Sequence, residues 1–109
     1  MEASIFESAN IFRFVEKVEY SAEGIVSKRV LEKSTGNVSL FAFDIGQRLS
    51  THSAPFDAMV QIVEGKAEII INNVSFILHG GDTIIMPANI PHAVVAIEKF
   101  KMVLTMIKG

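Results

Sequence analysis

The chain contains no cysteine and no tryptophan, one tyrosine, three prolines and three histidines. Each scarcity closes a class of function. Without cysteine there is no disulfide framework, no zinc–thiolate or iron–sulfur site and no thiol nucleophile. A reducing compartment is the natural setting, and any metal would be held by nitrogen and oxygen. Neither sign of charge dominates. Ten Lys plus Arg against twelve Asp plus Glu give a net charge of -2, spread without blocks, and leave no nucleic-acid footprint and no polybasic membrane patch. No apolar run approaches membrane-spanning length, and the opening MEASIFESANIFRF lacks the basic region and long apolar stretch of a targeting segment. The expectation is a cytoplasmic protein with neither nucleic acid nor membrane as partner. No Gly-x-Ser-x-Gly elbow, phosphate loop, internal repeat, linker or low-complexity stretch is present.

What the chain does have is apolar residues at half of its 109 positions, enough for one domain with one core and no staple. Only residues 4–14 look helical, with Ser8 as N-cap and Ile5, Phe6, Phe12 and Phe14 as apolar anchors. From residue 18 onward the pattern is strand after strand: 18–20, 25–33, 37–44, 49–52, 57–64, 66–71, 74–78, 83–87, 92–98 and 100–107, with Gly, Asn, Pro or Ser in most gaps. Asn72 and Asn73 tolerate positive φ, so a two-residue hairpin would set Ile71 opposite Val74, Ile69 opposite Phe76 and Ala67 opposite Leu78 on one face.

The last strand puts Phe100, Met102, Leu104 and Met106 on one side, leaving Lys101, Val103, Thr105 and Ile107 to point outward. In 37–44, Val38, Leu40 and Ala42 face one way and Phe41 and Phe43 the other, so both faces want cover and a partner subunit could supply it. A homodimer is the expected assembly. The expected fold is all-β, a sandwich or closed barrel, with residues 1–17 as a short helical or irregular segment and 18–109 as a single barrel domain.

Two histidine-bearing segments narrow this further. Residues 46–65, GQRLSTHSAPFDAMVQIVEG, carry Gly46, His52, Pro55 and Glu64-Gly65, and residues 81–96, GDTIIMPANIPHAVVA, carry Gly81, Pro87 and His92. Together they resemble the paired motifs of the cupin superfamily, with Asn89 standing where that family usually has Gly. The resemblance implies a small jelly-roll barrel and a metal bound by His, His, Glu and His inside it. Here His52 fills the first ligand position and His92 the last, but Ala54 and Ala58 occupy the other two. Strand parity places His52, Ala54, Ala58, Val60 and Ile62 on the inward face. Ala54, Ala58, Val60, Met102 and Leu104 would therefore line an apolar pocket, enlarged by the missing ligand side chains.

Asp57, one residue before the glutamate slot, is a candidate third ligand; alternatively it caps the turn by accepting from backbone N–H groups. Gln61 has outward parity. His79, in LHGGD, reads as a solvated turn residue. Met59, Met86, Met102 and Met106 read as core filler, Met102 and Met106 also suiting an adaptable pocket. Pro87, Asn89 and Pro91 form the turn that presents His92, and Glu64-Gly65 reads as a tight turn between strands.

Two functions follow. One is a binding module that holds a small molecule in an apolar barrel, with His52 and His92 as polar contacts. The other is a metal-dependent cupin enzyme of the oxygenase, isomerase or decarboxylase class, with the same two histidines as ligands. No cofactor follows firmly. A divalent iron, nickel, zinc or manganese ion on two histidines would be weakly held unless other oxygens completed its shell.

Overall fold

The alternation in the sequence becomes seven antiparallel strands in a computed structural model that describes residues 5–108. They are β1 (Ile25–Lys33), β2 (Gly36–Phe43), β3 (Arg48–His52), β4 (Asp57–Ile71), β5 (Val74–His79), β6 (Thr83–Met86) and β7 (His92–Ile107). Strands β4 and β7 form a spine, paired from Asp57 opposite Ile107 to Ile71 opposite His92. Register shifts between Ile62 and Glu64 and between Gly65 and Ala67 divide this ladder in two. One half extends into a sheet ordered β1-β2-β7-β4-β6, the other into a sheet ordered β3-β7-β4-β5. The two sheets close on each other as a jelly-roll barrel.

Two expected breaks are absent, and the reason is local. Glu64-Gly65 does not end a strand; Gly65 takes φ +89, and a Cβ there would lie 2.1 Å from the Lys99 carbonyl oxygen. Only glycine lets β4 bend against β7 at that distance, so both strands run through a bulge without interruption. The Asn72-Asn73 hairpin has the expected register, with φ of 50 and 66 at the two turn residues. Between the sheets, Phe43, Val60, Ile62, Ile69, Phe100 and Met102 are all but fully buried. Each such side chain contributes about 1.5–3 kcal/mol by leaving water.

The expected helix over 4–14 does not form across the described part, and residue 4 lies outside the described residues. Its place is taken by irregular chain leading into one 3-10 turn, Phe14–Glu16, whose N-cap Arg13 makes no side-chain capping bond. Phe12 packs edge-on against both Phe6 and Phe14, at 5.3 and 5.2 Å between ring centroids. Residues two apart on a helix do not face each other, so the Phe12–Phe14 contact and a helix exclude each other. Residues 18–20 likewise form no strand. Val18, Phe6, Phe14 and Tyr20 pack instead on Leu40, Ala42 and Val103, forming a second apolar cluster on the outside of the first sheet.

That cluster corrects the reading of Lys101. Its side chain does leave the inner face, yet the residue is only 8% exposed. Its Nζ donates to the Val15 carbonyl at 2.6 Å and lies 3.6 Å from Glu64 and 5.0 Å from the Tyr20 ring centroid. Lys28 donates to the Lys17 carbonyl at 2.9 Å. Burial, and then the adjacent Glu64 carboxylate that accepts its hydrogen bond, push the Tyr20 hydroxyl pKa far up, so it stays a donor. The chain's own N-terminal segment thus covers part of the apolar face that called for a partner. Among the described residues no helix is long and apolar enough to cross a membrane.

Candidate functional site

His52 closes β3 and His92 opens β7, and the two are direct partners across the second sheet. Their rings lie 4.5 Å apart, inclined at 68°. Three hydrogen bonds donated by backbone N–H groups hold this end of the barrel. Asn89 N–H donates to the Ala54 carbonyl at 2.7 Å, Asn72 N–H to the Pro91 carbonyl at 2.9 Å, and Ala88 N–H to Asp57 Oδ1 at 2.9 Å. Asn89 has φ 64, the left-handed conformation that glycine adopts most freely and that asparagine tolerates. The departure from the family motif is therefore conformationally neutral, and the loop that presents His92 keeps its shape.

Both imidazoles are held by the same local contact, Nδ1 against the carbonyl two residues earlier. His52 Nδ1 is 2.8 Å from the Ser50 carbonyl and His92 Nδ1 is 3.2 Å from the Ile90 carbonyl. A carbonyl only accepts, so each Nδ1 carries a proton, and in the neutral form of either ring the lone pair lies on Nε2. His92 is 7% exposed. Its burial lowers its pKa below the ordinary histidine value; the Ile90 carbonyl works against this shift and the His52 ring adds to it.

The pair borders a cavity of about 50 Å³ between the sheets. Leu49 and Val94 share its histidine wall, Ala54 and Phe56 its rim, and Ala58, Met86, Met102, Leu104 and Met106 the opposite wall. Of the residues singled out from the sequence, His52, Ala54, Ala58, His92, Met102 and Leu104 are thus brought together. Val60 is not: it is fully buried in the closed core and does not reach the cavity. Phe56, Met86, Met102 and Met106 line the cavity together with Ala54 and Ala58, and the space they enclose is small. What remains would hold a few waters.

Asp57 is exposed, borders an outer groove beside Met59 and Ile85, and uses its carboxylate on the Ala88 N–H. It caps a loop and does not face the histidines. Gln61 lies on the outer side beside the N-terminal segment. His79 is the last residue of β5, and its N–H donates to Asp82 Oδ2 at 2.8 Å, away from the cavity. Among the described residues no three His, Cys, Asp or Glu side chains gather as a metal site. The four-ligand set implied by the motifs does not fit the residues present. Leu49, Phe56, Met86 and Val94 are the cavity residues that the sequence left among core or turn positions, whereas Met106 takes the pocket position it suits. Strand register was the available signal for the methionines, since both oppose Ala58.

Residues 39–108 match a family described as the cupin domain. A conserved protein of unknown function from Streptococcus pyogenes is 36% identical, with 94% of this chain and 90% of that one covered and a TM-score of 0.90. A cupin 2 conserved barrel domain protein from Leptotrichia buccalis is 38% identical over 89% of this chain, with a TM-score of 0.86; the match spans 47% of that longer chain. A cupin superfamily protein from Desulfitobacterium hafniense shares the fold over the full length of both chains, at 20% identity and a TM-score of 0.91. No curated protein matches the chain in sequence.

Proposed function

This chain belongs to the cupin family, and on that premise we propose that it is a binding module whose small-molecule occupant donates hydroxyl or amide hydrogens to Nε2 of His52 and His92. The observation that carries this reading is the pair of Nδ1 contacts to backbone carbonyls, which leaves two adjacent acceptors at the edge of an apolar cavity. Apolar walls supply affinity and a few fixed polar atoms supply orientation. With about 50 Å³ inside, the occupant inserts only a small apolar part unless the methionines move, and thioether chains move readily. Titration with phenol, followed by imidazole nitrogen NMR, tests it. Both Nε2 signals should shift while both Nδ1 signals hold. Absence of any shift at millimolar phenol, or equal binding by His52→Ala, refutes the reading.

The same adjacent lone pairs favour a second reading, a metal-dependent cupin enzyme. His52 and His92 would supply two nitrogen donors to iron, nickel, zinc or manganese, and substrate or solvent the remainder. Two protein ligands fall short of the three that zinc sites generally use. Tight, stoichiometric nickel binding abolished by His52→Ala would place this reading first. For assembly, Leu31, Ile85 and Ile107 remain exposed at 60, 61 and 65%, and we assign a second copy of the chain to cover them. Sedimentation equilibrium should show a dimer; a monomer throughout the micromolar range contradicts it.

A further inference from the structure

A second cavity, of about 430 Å³, lies on the outer side of the first sheet beneath the N-terminal segment. It is far larger than the one beside the histidines and falls in the range of small-molecule sites. Its floor is the sheet itself. Val38 on β2 is opposite Thr105 on β7, and Gln61 on β4 is opposite Val103 on β7, so these side chains adjoin as one patch below the cavity. Its roof is aromatic: Phe12 meets Phe6 and Phe14 edge-on, and all three rings border the cavity. The later part of the segment is fastened to the barrel, with Lys101 and Lys28 donating to the Val15 and Lys17 carbonyls and Tyr20 to Glu64. In the aromatic part, Asn10 bonds to Glu7 within the segment itself, at 3.0 Å.

We propose that this cavity is a second small-molecule site, taking a neutral aromatic carboxamide whose ring lies among the phenylalanines and whose amide pairs with the Gln61 side chain. The outward parity that removes Gln61 from the histidine end is what places it here. Gln61 and Thr105 are both half-buried, and among the described residues neither side chain has a hydrogen-bond partner. A glutamine amide offers donors and an acceptor side by side, and another amide answers both in one contact. Rings that already meet edge to face accept a further planar ring in the same geometries. Charge excludes the alternatives. Among the described residues Glu7 is the one charged side chain at the cavity, and it is exposed and engaged by Asn10. A carboxylate ligand would find no counter-charge, and a cation would leave water for one exposed carboxylate. The inference is independent of the histidine reading, and the dimer contact assigned above borders this cavity at Leu31 alone.

The test uses the whole chain, labelled with nitrogen-15 throughout and with carbon-13 at the valine methyls, and benzamide as the probe. At millimolar benzamide the Gln61 side-chain amide and the methyls of Val38 and Val103 should shift, while the imidazole nitrogens of His52 and His92 hold. Gln61→Met keeps the length of the side chain and removes its amide. It should weaken benzamide binding about tenfold and leave toluene binding unchanged. Should that variant unfold, as a melting curve would show, N,N-dimethylbenzamide makes the same comparison on wild-type protein: without amide hydrogens it should bind more weakly than benzamide. Benzoate and benzylammonium should both bind more weakly than benzamide. The proposal is overturned if the Gln61 and valine signals stay in place, if the imidazoles shift in their stead, or if Gln61→Met binds benzamide as tightly as wild type. Tighter binding of benzylammonium would make the site a cation cage, and shifts that appear only on dilution to monomer would assign the cavity to a second copy; either result also overturns it.

Discussion

Beside the bend at Gly65 the space between the sheets is filled by Phe43 and Phe100, both fully buried and stacked 4.6 Å apart. At the far end the same space is walled by Ala54, Ala58, Met86 and Met106 around two histidines. The aromatic end has rigid rings, fixed contacts and no polar atom to satisfy. The histidine end has small or flexible side chains, and Nε2 of neither histidine has a hydrogen-bond partner among the described residues. Stability is concentrated where the packing is stiff, and the proposed binding falls where it adapts. The division follows the pairing of the spine strands: Phe100 is opposite Gly65, where β4 bends, whereas Ile107 and His92 are opposite the two free ends of β4.

The largest expected effect breaks the aromatic end. Phe100→Ala should cost about 3–5 kcal/mol, because a stacked, fully enclosed ring leaves a cavity that its neighbours cannot fill. Denaturant unfolding measures it. A loss below about 1 kcal/mol, the range of an ordinary surface change, would mean that this end is no stiffer than the other.

A smaller effect converts the histidine end. Ala54→His with Ala58→Glu restores the donors implied by the motifs, and should bind zinc or nickel far more tightly than the wild type in a calorimetric titration. Without metal the same variant should be less stable by about 1–3 kcal/mol, since a carboxylate would then sit among methyl and thioether groups. Metal should recover that loss by mass action. Unchanged metal affinity would show that the orienting contacts around the ligands are missing.

The smallest effect is a pH dependence confined to the histidine end. The native pKa of His92 lies below its ordinary value of 6.5, so the unfolded chain takes up a proton that the folded one refuses. Stability should therefore fall as pH drops through about 6.5 towards the lowered native pKa, and level off below it. His92→Gln should remove this part of the slope. An unaltered pH profile in that variant would assign the slope to other groups.

The two ends also differ in how much the sequence disclosed. Alternation of apolar residues located the strands from 25 onward and paired Ala67 with Leu78 correctly, because side-chain period and turn chemistry are local properties. The motif resemblance brought together His52 and His92, forty positions apart in the chain. Four features needed the assembled structure. Continuity of β4 through Gly65 depends on how closely Lys99 approaches it, which composition does not reveal. Burial of Lys101 depends on where residues 14–20 lie, and aromatic packing among Phe6, Phe12 and Phe14 overrode a short helical pattern that lacked the length to stand alone. The contents of the cavity depend on Met86 and Met106, which flank Ala58 only once three strands have been assembled. Asp57 was legible as either ligand or cap, and the orientation of its carboxylate toward the Ala88 N–H made it a cap.

The central proposal is that the two histidines of this barrel accept hydrogen bonds from a small molecule and do not anchor a divalent ion as the family motif would. Metal content of untagged protein, measured alongside native mass spectrometry of the same sample, tests it most directly. The account predicts iron, nickel, zinc and manganese well below one per chain, with a small organic molecule retained by the wild type and lost in His52→Ala. One of those ions per chain, tightly held and lost in His52→Ala, would contradict it.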